Sequence, residues 1–281
     1  MCGRYASARK RQELLEEFLV QADHAQESLE SDYNVAPTKP VYGVLARRER
    51  GPIDGQATGE MSHAAEGIES NGFRGDGDTP PVTRQLRVLR WGLVPSWAKD
   101  RSVGSRLINA RVETVAVKPA FKRAFARRRC LLPADGYFEW QAGAPVGGRI
   151  SRQPFFMSPR DGSVLAMAGL YELWRAPDLP AGDCAAWLWT ATIITTRATG
   201  QFGHIHDRMP MVVERDRWAH WLEPARSDPA DLFDVLLPAA SADLQTRPVS
   251  RAVNNVRNNG PGLIEPAPPG EDLSEAPASL F

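Results

Sequence analysis

Three apolar segments, Pro154–Ser158, Val164–Trp174 and Ala185–Thr195, follow one another with only short polar stretches between them. The segments are rich in Trp, Leu, Ile and Thr, which suit a pleated, half-buried surface. More strands are expected at Pro40–Ala46, Gln85–Leu93, Cys130–Trp140 and Gln245–Val249, with a glycine-rich turn at Ala142–Gly148. Tyr33–Thr38 is extended or turning because of Pro37, and Arg111–Val117 reads as an extended start. The missing βαβ rhythm argues against a doubly wound parallel sheet. The expected class is α+β, a mainly antiparallel, barrel-like sheet core with several peripheral helices.

Those helices are few. Arg9–Val20 places Leu14, Leu15, Phe18 and Leu19 on one face, with Ser7 as a candidate cap. Phe121 and Phe125 give Pro119–Arg128 an apolar stripe opposite a solvated basic face. Arg215–Leu222 and Pro229–Leu237 complete the set. Trp187 and Trp189 are expected in the core, and Trp97 in a loop from Pro95 to Ser105.

One domain is expected over residues 1–265. It is interrupted by a flexible Gly-, Asp-, Glu- and Ser-rich insertion at about 48–84 and followed by a loose acidic, proline-rich tail at 266–281. The formal net charge of zero hides segregation. Basic residues gather at Arg47–Arg50, Arg84–Arg90 and Lys122–Arg129, and a nucleic-acid surface needs only such a local field. Three widely spaced cysteines make no disulfide framework and no zinc motif. The first residues lack an apolar signal region, and no apolar run is long enough to span a membrane, so a cytoplasmic location is expected.

Cys2 directly follows Met1. Loss of Met1 leaves an α-amine and a thiol on adjacent carbons, with reference pKa values of roughly 8 and 8.5. Such a 1,2-aminothiol condenses with an aldehyde through its amine and then closes a five-membered thiazolidine through its sulfur. The second attack is intramolecular and so strongly favoured. Arg4 is expected to lower the thiol pKa.

Met1–Tyr5, Tyr33–Thr38, Trp91–Trp97, Ile108–Thr114, Ala134–Trp140, Pro154–Phe156, His204–Pro210 and Pro248–Asn255 resemble, in that order, the hallmarks of the SRAP (SOS response-associated peptidase) family, the abasic-site shield proteins. The resemblance covers residues 1–47 and about 85–265; the insertion and the tail depart from it. It implies an abasic-site sensor that crosslinks Cys2 covalently to single-stranded DNA. Met1 would be lost by self-cleavage or to an aminopeptidase, with a lyase-like side activity at the iminium stage. Carried over residue by residue, Cys2 is the nucleophile, Glu139 and His206 move protons, and Asn109 orients the sugar or amine. His204 is a bystander. Arg4, Arg111 and Arg208 would contact phosphates, while Trp97, Pro37 and Trp140 would face exposed bases. Asn34 would hold the N-terminal loop or touch DNA. Neither cofactor nor metal is implied. The implied partners are abasic single-stranded DNA and replication-fork proteins, with a monomeric protein associated with the nucleoid when bound. Two rival readings are a glutamine-amidotransferase-type hydrolase, which also begins Met-Cys-Gly, and a noncovalent single-strand binder. A peptidase acting on other proteins is a third.

Overall fold

Thirteen strands and four short α-helices make up the computed structural model, which describes residues 2–48, 81–146, 149–180, 183–237 and 243–267. The first half runs β1 (Tyr5–Ser7), α1 (Arg11–Glu17), β2 (Ala22–Asp23), β3 (Asp32–Val35), β4 (Pro40–Arg48), β5 (Val82–Trp91), β6 (Asn109–Arg111) and α2 (Lys122–Arg127). The second half runs β7 (Arg129–Ala134), β8 (Gly136–Val146), β9 (Arg149–Pro159), β10 (Leu165–Arg175), β11 (Trp187–Arg197), β12 (Arg208–Pro210), α3 (Trp218–Leu222), α4 (Pro229–Leu236) and β13 (Leu244–Pro248).

Five of these strands close a barrel. β11, β10, β7, β4 and β5 pair antiparallel in that order. A short parallel pairing of Thr190–Ala191 with Arg90–Trp91 then joins β5 back to β11. Closure removes the exposed edges that an open sheet would carry. A second, wholly antiparallel sheet runs β13-β9-β8-β1-β3. The α+β, mainly antiparallel, barrel-like architecture is therefore present.

Strand alternation sorts the core. Val41, Leu45, Leu89, Trp91, Leu132, Met167 and Ile193 pack with Tyr5, Val35, Tyr137 and Met157 of the second sheet. The opposite barrel face, with Tyr42, Val44, Leu131, Ala168 and Ile194, packs under Leu14, Phe18, Phe125, Trp218, Trp221 and Leu232 of the helices. A smaller cluster of Ala6, Phe138, Phe156, Val249 and Val253 fills the far side of the second sheet.

Cys130–Trp140 is not one strand. It breaks at Asp135, whose carboxylate accepts from the Ala8 amide at 2.6 Å and from Arg9 Nε at 3.0 Å. The chain leaves the barrel as β7 and enters the second sheet as β8. Gly136 permits the transfer, because a Cβ there would strike the Met157 carbonyl and the Phe156 ring. The switch carries Glu139 and Trp140 alongside the amino-terminal residues.

Other expectations shift for local reasons. The first helix starts after Lys10 and draws no side-chain cap, since Ser7 belongs to β1. It ends in a Schellman turn: Leu19 takes φ 50°, its amide bonds Glu16 O, and Val20 N bonds Leu15 O. Leu19 is thereby turned out and is 61% exposed. Extended structure stops at Arg111, where it was expected to begin, and turns follow from Val112. β8 continues through the expected Ala142–Gly148 turn as far as Val146; residues 147–148 lie outside the described ones. Trp187 and Trp189 are half-buried rather than core. Trp189 stacks on Tyr171 and lies beneath the Arg87 guanidinium, 4.3 Å from the ring centre. Val82–Arg84, placed in the insertion by sequence, extend β5, and Arg48 pairs with Val82; residues 49–80 are outside the described set. Pro266 bridges Val249, so the attached chain reaches Ala267, and 268–281 are likewise outside. No helix among the described residues is long and apolar enough to cross a membrane.

Candidate active site

Residues 2–4 lead into β1 beside β8, where the Phe138 amide donates to the Arg4 carbonyl at 2.9 Å. Cys2 is fully buried, packed in the same cluster as Tyr5, Trp91, Tyr137 and Ile193. Asn109 reaches it from β6, which the parallel pairing of Asn109 with Ile193 of β11 holds in place. Asn109 Nδ2 donates to the Cys2 carbonyl at 2.8 Å. Its Oδ1 is buried without a hydrogen-bond partner among the described residues, so an acceptor stands ready beside the cysteine backbone.

Glu139 projects from β8 and is 2% exposed. Burial disfavours its charged form and raises the carboxyl pKa to about 7. His206 lies in the turn before β12, with Nε2 4.0 Å from Glu139 Oε2. Its Nδ1 accepts from the Arg208 amide at 3.0 Å, which leaves Nε2 to carry the proton of the neutral ring toward Glu139. Burial lowers the His206 pKa, which favours the neutral ring, and the Asp207 charge opposes the shift.

The thiol does not behave as the sequence suggested. Burial, reinforced by the Glu139 charge, pushes the Cys2 pKa up, and Sγ is protonated at neutral pH. The only contribution from Arg4 is a hydrogen bond from its backbone, which opposes the rise weakly. The Arg4 guanidinium is engaged elsewhere. It donates to Asn34 Oδ1 at 2.6 Å and to Val253 O at 2.8 Å, and sits 5.8 Å from the Trp140 ring centre.

Glu139 and His206 line a pocket of about 510 Å³ together with Arg4, Trp140, Arg152 and Asn254; Cys2 and Asn109 are not among its lining residues. The Trp140 indole N–H donates to Asn254 Oδ1 at 2.7 Å and fixes one wall. Of the residues singled out by sequence, Cys2, Asn109, Glu139 and His206 thus converge, with Arg4 and Trp140 on the wall.

The others lie apart. Asn34 is fully buried; its Oδ1 accepts from Arg4 at 2.6 Å and its Nδ2 donates to the Val253, Asn255 and Asn258 carbonyls, so it joins the N-terminal loop, one of its two expected roles, to the C-terminal loop. Pro37 is half-buried. Arg111 is exposed, and Trp97 is 63% exposed; neither lines the pocket. Arg208 is 7% exposed, its guanidinium held by both Glu113 oxygens and by Thr195 O. A buried guanidinium requires such partners, and they occupy the face expected to meet phosphate. His204 is exposed, consistent with a bystander.

Arg152 and Asn254 were not singled out. Asn254 lies inside the Pro248–Asn255 motif, and Arg152 stands two residues before Pro154, directly across the β8–β9 ladder from Ala142. The ladder register would have been needed to find Arg152, and only the structure supplies it.

The family model for "SOS response associated peptidase (SRAP)" matches residues 1–256. The chain belongs to the SRAP family. Among SRAP relatives, the chain is 32% identical over 265 residues to the "Abasic site processing protein YoqW" of Bacillus subtilis, covering 94% of this chain and 99% of that protein. It is 32% identical over 220 residues to the "Abasic site processing protein HMCES" of Mus musculus, covering 68% of this chain and 59% of that protein. A crystal structure of a protein from Bacteroides thetaiotaomicron shares the SRAP chain's fold with a TM-score of 0.67 and 21% identity, over 95% of this chain and 100% of that one.

Proposed function

We propose that this SRAP protein processes abasic sites by capturing them in single-stranded DNA through a thiazolidine at Cys2, formed after Met1 is removed. The single observation that carries this proposal is the linked set around the buried Cys2: Asn109 holds its carbonyl, the Glu139 charge acts on its thiol, and His206 stands 4.0 Å from Glu139, these last two lining a pocket with Arg4 and Arg152. The names of the SRAP relatives supply the substrate class.

The chemistry follows from the groups present. An abasic deoxyribose opens to an aldehyde at C1′. The Cys2 amine adds its lone pair to that carbon, and the carbonyl oxygen takes up a proton. Loss of this oxygen as water gives an iminium. Cys2 Sγ then bonds C1′, the C=N electron pair returns to nitrogen, and the thiol proton passes to Glu139. Water is the only leaving molecule, and no redox change occurs. With a pKa of about 7, Glu139 both takes and gives protons near neutrality. His206, with its proton on Nε2, donates a hydrogen bond on this side of the site, while Glu139, protonated in the addition, gives the departing oxygen its proton. Asn109 holds the Cys2 backbone and offers Oδ1 to the amine.

Phosphates flanking the lesion would meet Arg4, Arg152 and Arg111, and exposed bases would stack on Trp97 and Trp140, a sequence-tolerant mode of binding. An intact nucleotide offers no aldehyde, so discrimination is chemical. An amidohydrolase reading finds support only in the first three residues.

The test is incubation with single-stranded DNA carrying one abasic site, followed by denaturing electrophoresis and intact mass. A heat-resistant adduct is expected from chain lacking Met1, and none from Cys2→Ala. In Cys2→Ser, borohydride should still trap the imine while the stable adduct is lost. Absence of an adduct from chain shown by mass to begin at Cys2 would refute the proposal.

A further inference from the structure

Glu113 sits in the Ile108–Thr114 motif yet does not line the pocket. Its carboxylate meets Arg208 in a two-pronged pair: Nη1 donates to Oε1 at 2.6 Å and Nη2 to Oε2 at 3.0 Å. Arg208 Nη2 also donates to the Thr195 carbonyl at 2.6 Å, and the Val112 amide donates to the same oxygen at 2.9 Å. The three strands β6, β11 and β12 are thus tied at one point. The pairing of Arg208 with Arg197 and the bond from Ala198 N to Asp207 O at 2.9 Å fix the rest of the turn.

The consequence lies at the other end of the Arg208 residue. Its backbone N–H donates to His206 Nδ1 at 3.0 Å. Asp207 Oδ1 is also 3.0 Å from that nitrogen, but its side chain is 85% exposed. The two neighbours favour opposite tautomers. The amide donor requires a bare Nδ1 and leaves the proton on Nε2, facing Glu139. The carboxylate favours a proton on Nδ1 and leaves Nε2 bare. A strand held firmly by the Glu113–Arg208 pair keeps the amide in place against a solvated, mobile carboxylate.

We propose that Glu113 is a positioning residue: through Arg208 it sets the His206 tautomer and so the hydrogen-bond donor that His206 turns toward Glu139, the proton carrier at Cys2. This rests on the role given to His206 above. Outer partners that fix a histidine ring are known to matter nearly as much as the groups they orient.

Imidazole ¹⁵N NMR of histidine-labelled protein near pH 7.5, with His206 assigned by its loss in His206→Gln, reads the tautomer directly. Wild type is expected to carry the proton on Nε2. Glu113→Gln should move the shifts toward an Nδ1-protonated or mixed state and slow adduct formation by about ten- to a hundredfold, the scale of a misplaced catalytic group. Affinity for single-stranded DNA bearing a tetrahydrofuran, which lacks the aldehyde, should not change. Glu113→Asp, which keeps the charge with a shorter reach, should recover part of both rate and tautomer. Should the glutamine variant fail to fold, Glu113→Asp carries the same comparison, with a partial shift expected. An unchanged His206 signature in a folded variant overturns the proposal, as does a rate loss matched by lost DNA affinity. A wild type that forms no adduct overturns the function proposed above, while the tautomer measurement still decides the role of Glu113.

Discussion

Glu139→Gln separates what the site costs from what it does. In the folded chain the carboxyl pKa rises from its ordinary 4.5 to about 7, with burial as the main cause. A folded pKa above the unfolded one means that the native state holds the proton more tightly. The associated stability is complete below pH 4.5 and is lost as pH climbs through 7. Linkage over these two values gives a loss under about 1 kcal/mol at pH 5 and about 3 kcal/mol at pH 8. Glutamine has nearly the same shape and no proton to lose. The stability difference, variant minus wild type, should therefore grow by about 2–3 kcal/mol between pH 5 and pH 8, in favour of the variant. Urea unfolding at both pH values, on chains matched by mass at their amino terminus, measures this as a midpoint shift at constant slope. His206 also titrates in this range, so a Glu139→Gln, His206→Gln pair compared with His206→Gln isolates the carboxyl. A difference that stays flat with pH, or that shrinks as pH rises, would refute a desolvated carboxyl at this position. The same variant should form adduct far more slowly, so stability and activity move in opposite directions, as they do when strain is stored at a functional site.

Asn109→Ala removes the hold on the Cys2 carbonyl, a loss of about 1 kcal/mol; adduct formation should slow more than tenfold while thermal unfolding shifts by only a few degrees. Arg152→Ala should weaken binding to single-stranded tetrahydrofuran DNA and reduce the salt slope of log K by about 0.7, one phosphate contact on a single strand; an unchanged slope in a fluorescence titration would remove Arg152 from the DNA surface. Gly136→Ala forces a Cβ against the Met157 carbonyl and the Phe156 ring and should cost about 1–3 kcal/mol in urea unfolding, the usual scale for overpacking.

Which features sequence could disclose depends on the range of the forces behind them. β10 and β11 were legible because each carries a long run of apolar and aromatic residues, joined in β11 by Thr and Ile. β1 and β12 were not, since three residues hold too little periodicity to stand out. The barrel closure was implied only as a shape. The parallel contact of β5 with β11 joins residues about a hundred positions apart and leaves no local pattern. The break at Asp135 and Gly136 hides inside a continuous apolar segment, and only the packing of β9 over Gly136 explains why a glycine stands there. The converging side chains were found through their motifs, because family resemblance carries tertiary information that composition lacks. The same motifs misdirect at Arg208. An arginine in a conspicuous segment invites a phosphate, while its partner Glu113 lies 95 residues away. The thiol of Cys2 is a parallel case, since the neighbouring Arg4 suggested a lowered pKa and the surrounding core imposes the reverse.

That reversal orders the proposed reaction. A buried thiol beside Glu139 cannot ionise cheaply, because two adjacent negative charges in a desolvated site repel each other. The pair therefore holds one negative charge at a time, and its protons belong to the pair jointly. With the charge on Glu139, sulfur stays protonated and unreactive, so the amine must make the first bond to C1′. The proton that Glu139 takes in that step can then leave with the departing oxygen, which restores the carboxylate just as the iminium forms. Only now is there both a strong electrophile within reach of sulfur and a base beside it. Attack and deprotonation coincide, and the thiolate never has to exist as a free buried ion. A cysteine whose thiol were already ionised would be exposed to oxidation and to stray electrophiles before any lesion arrived. In the reaction proposed above, burial of Cys2 next to a carboxyl with a pKa of about 7 would keep the sulfur silent until the amine has engaged an aldehyde.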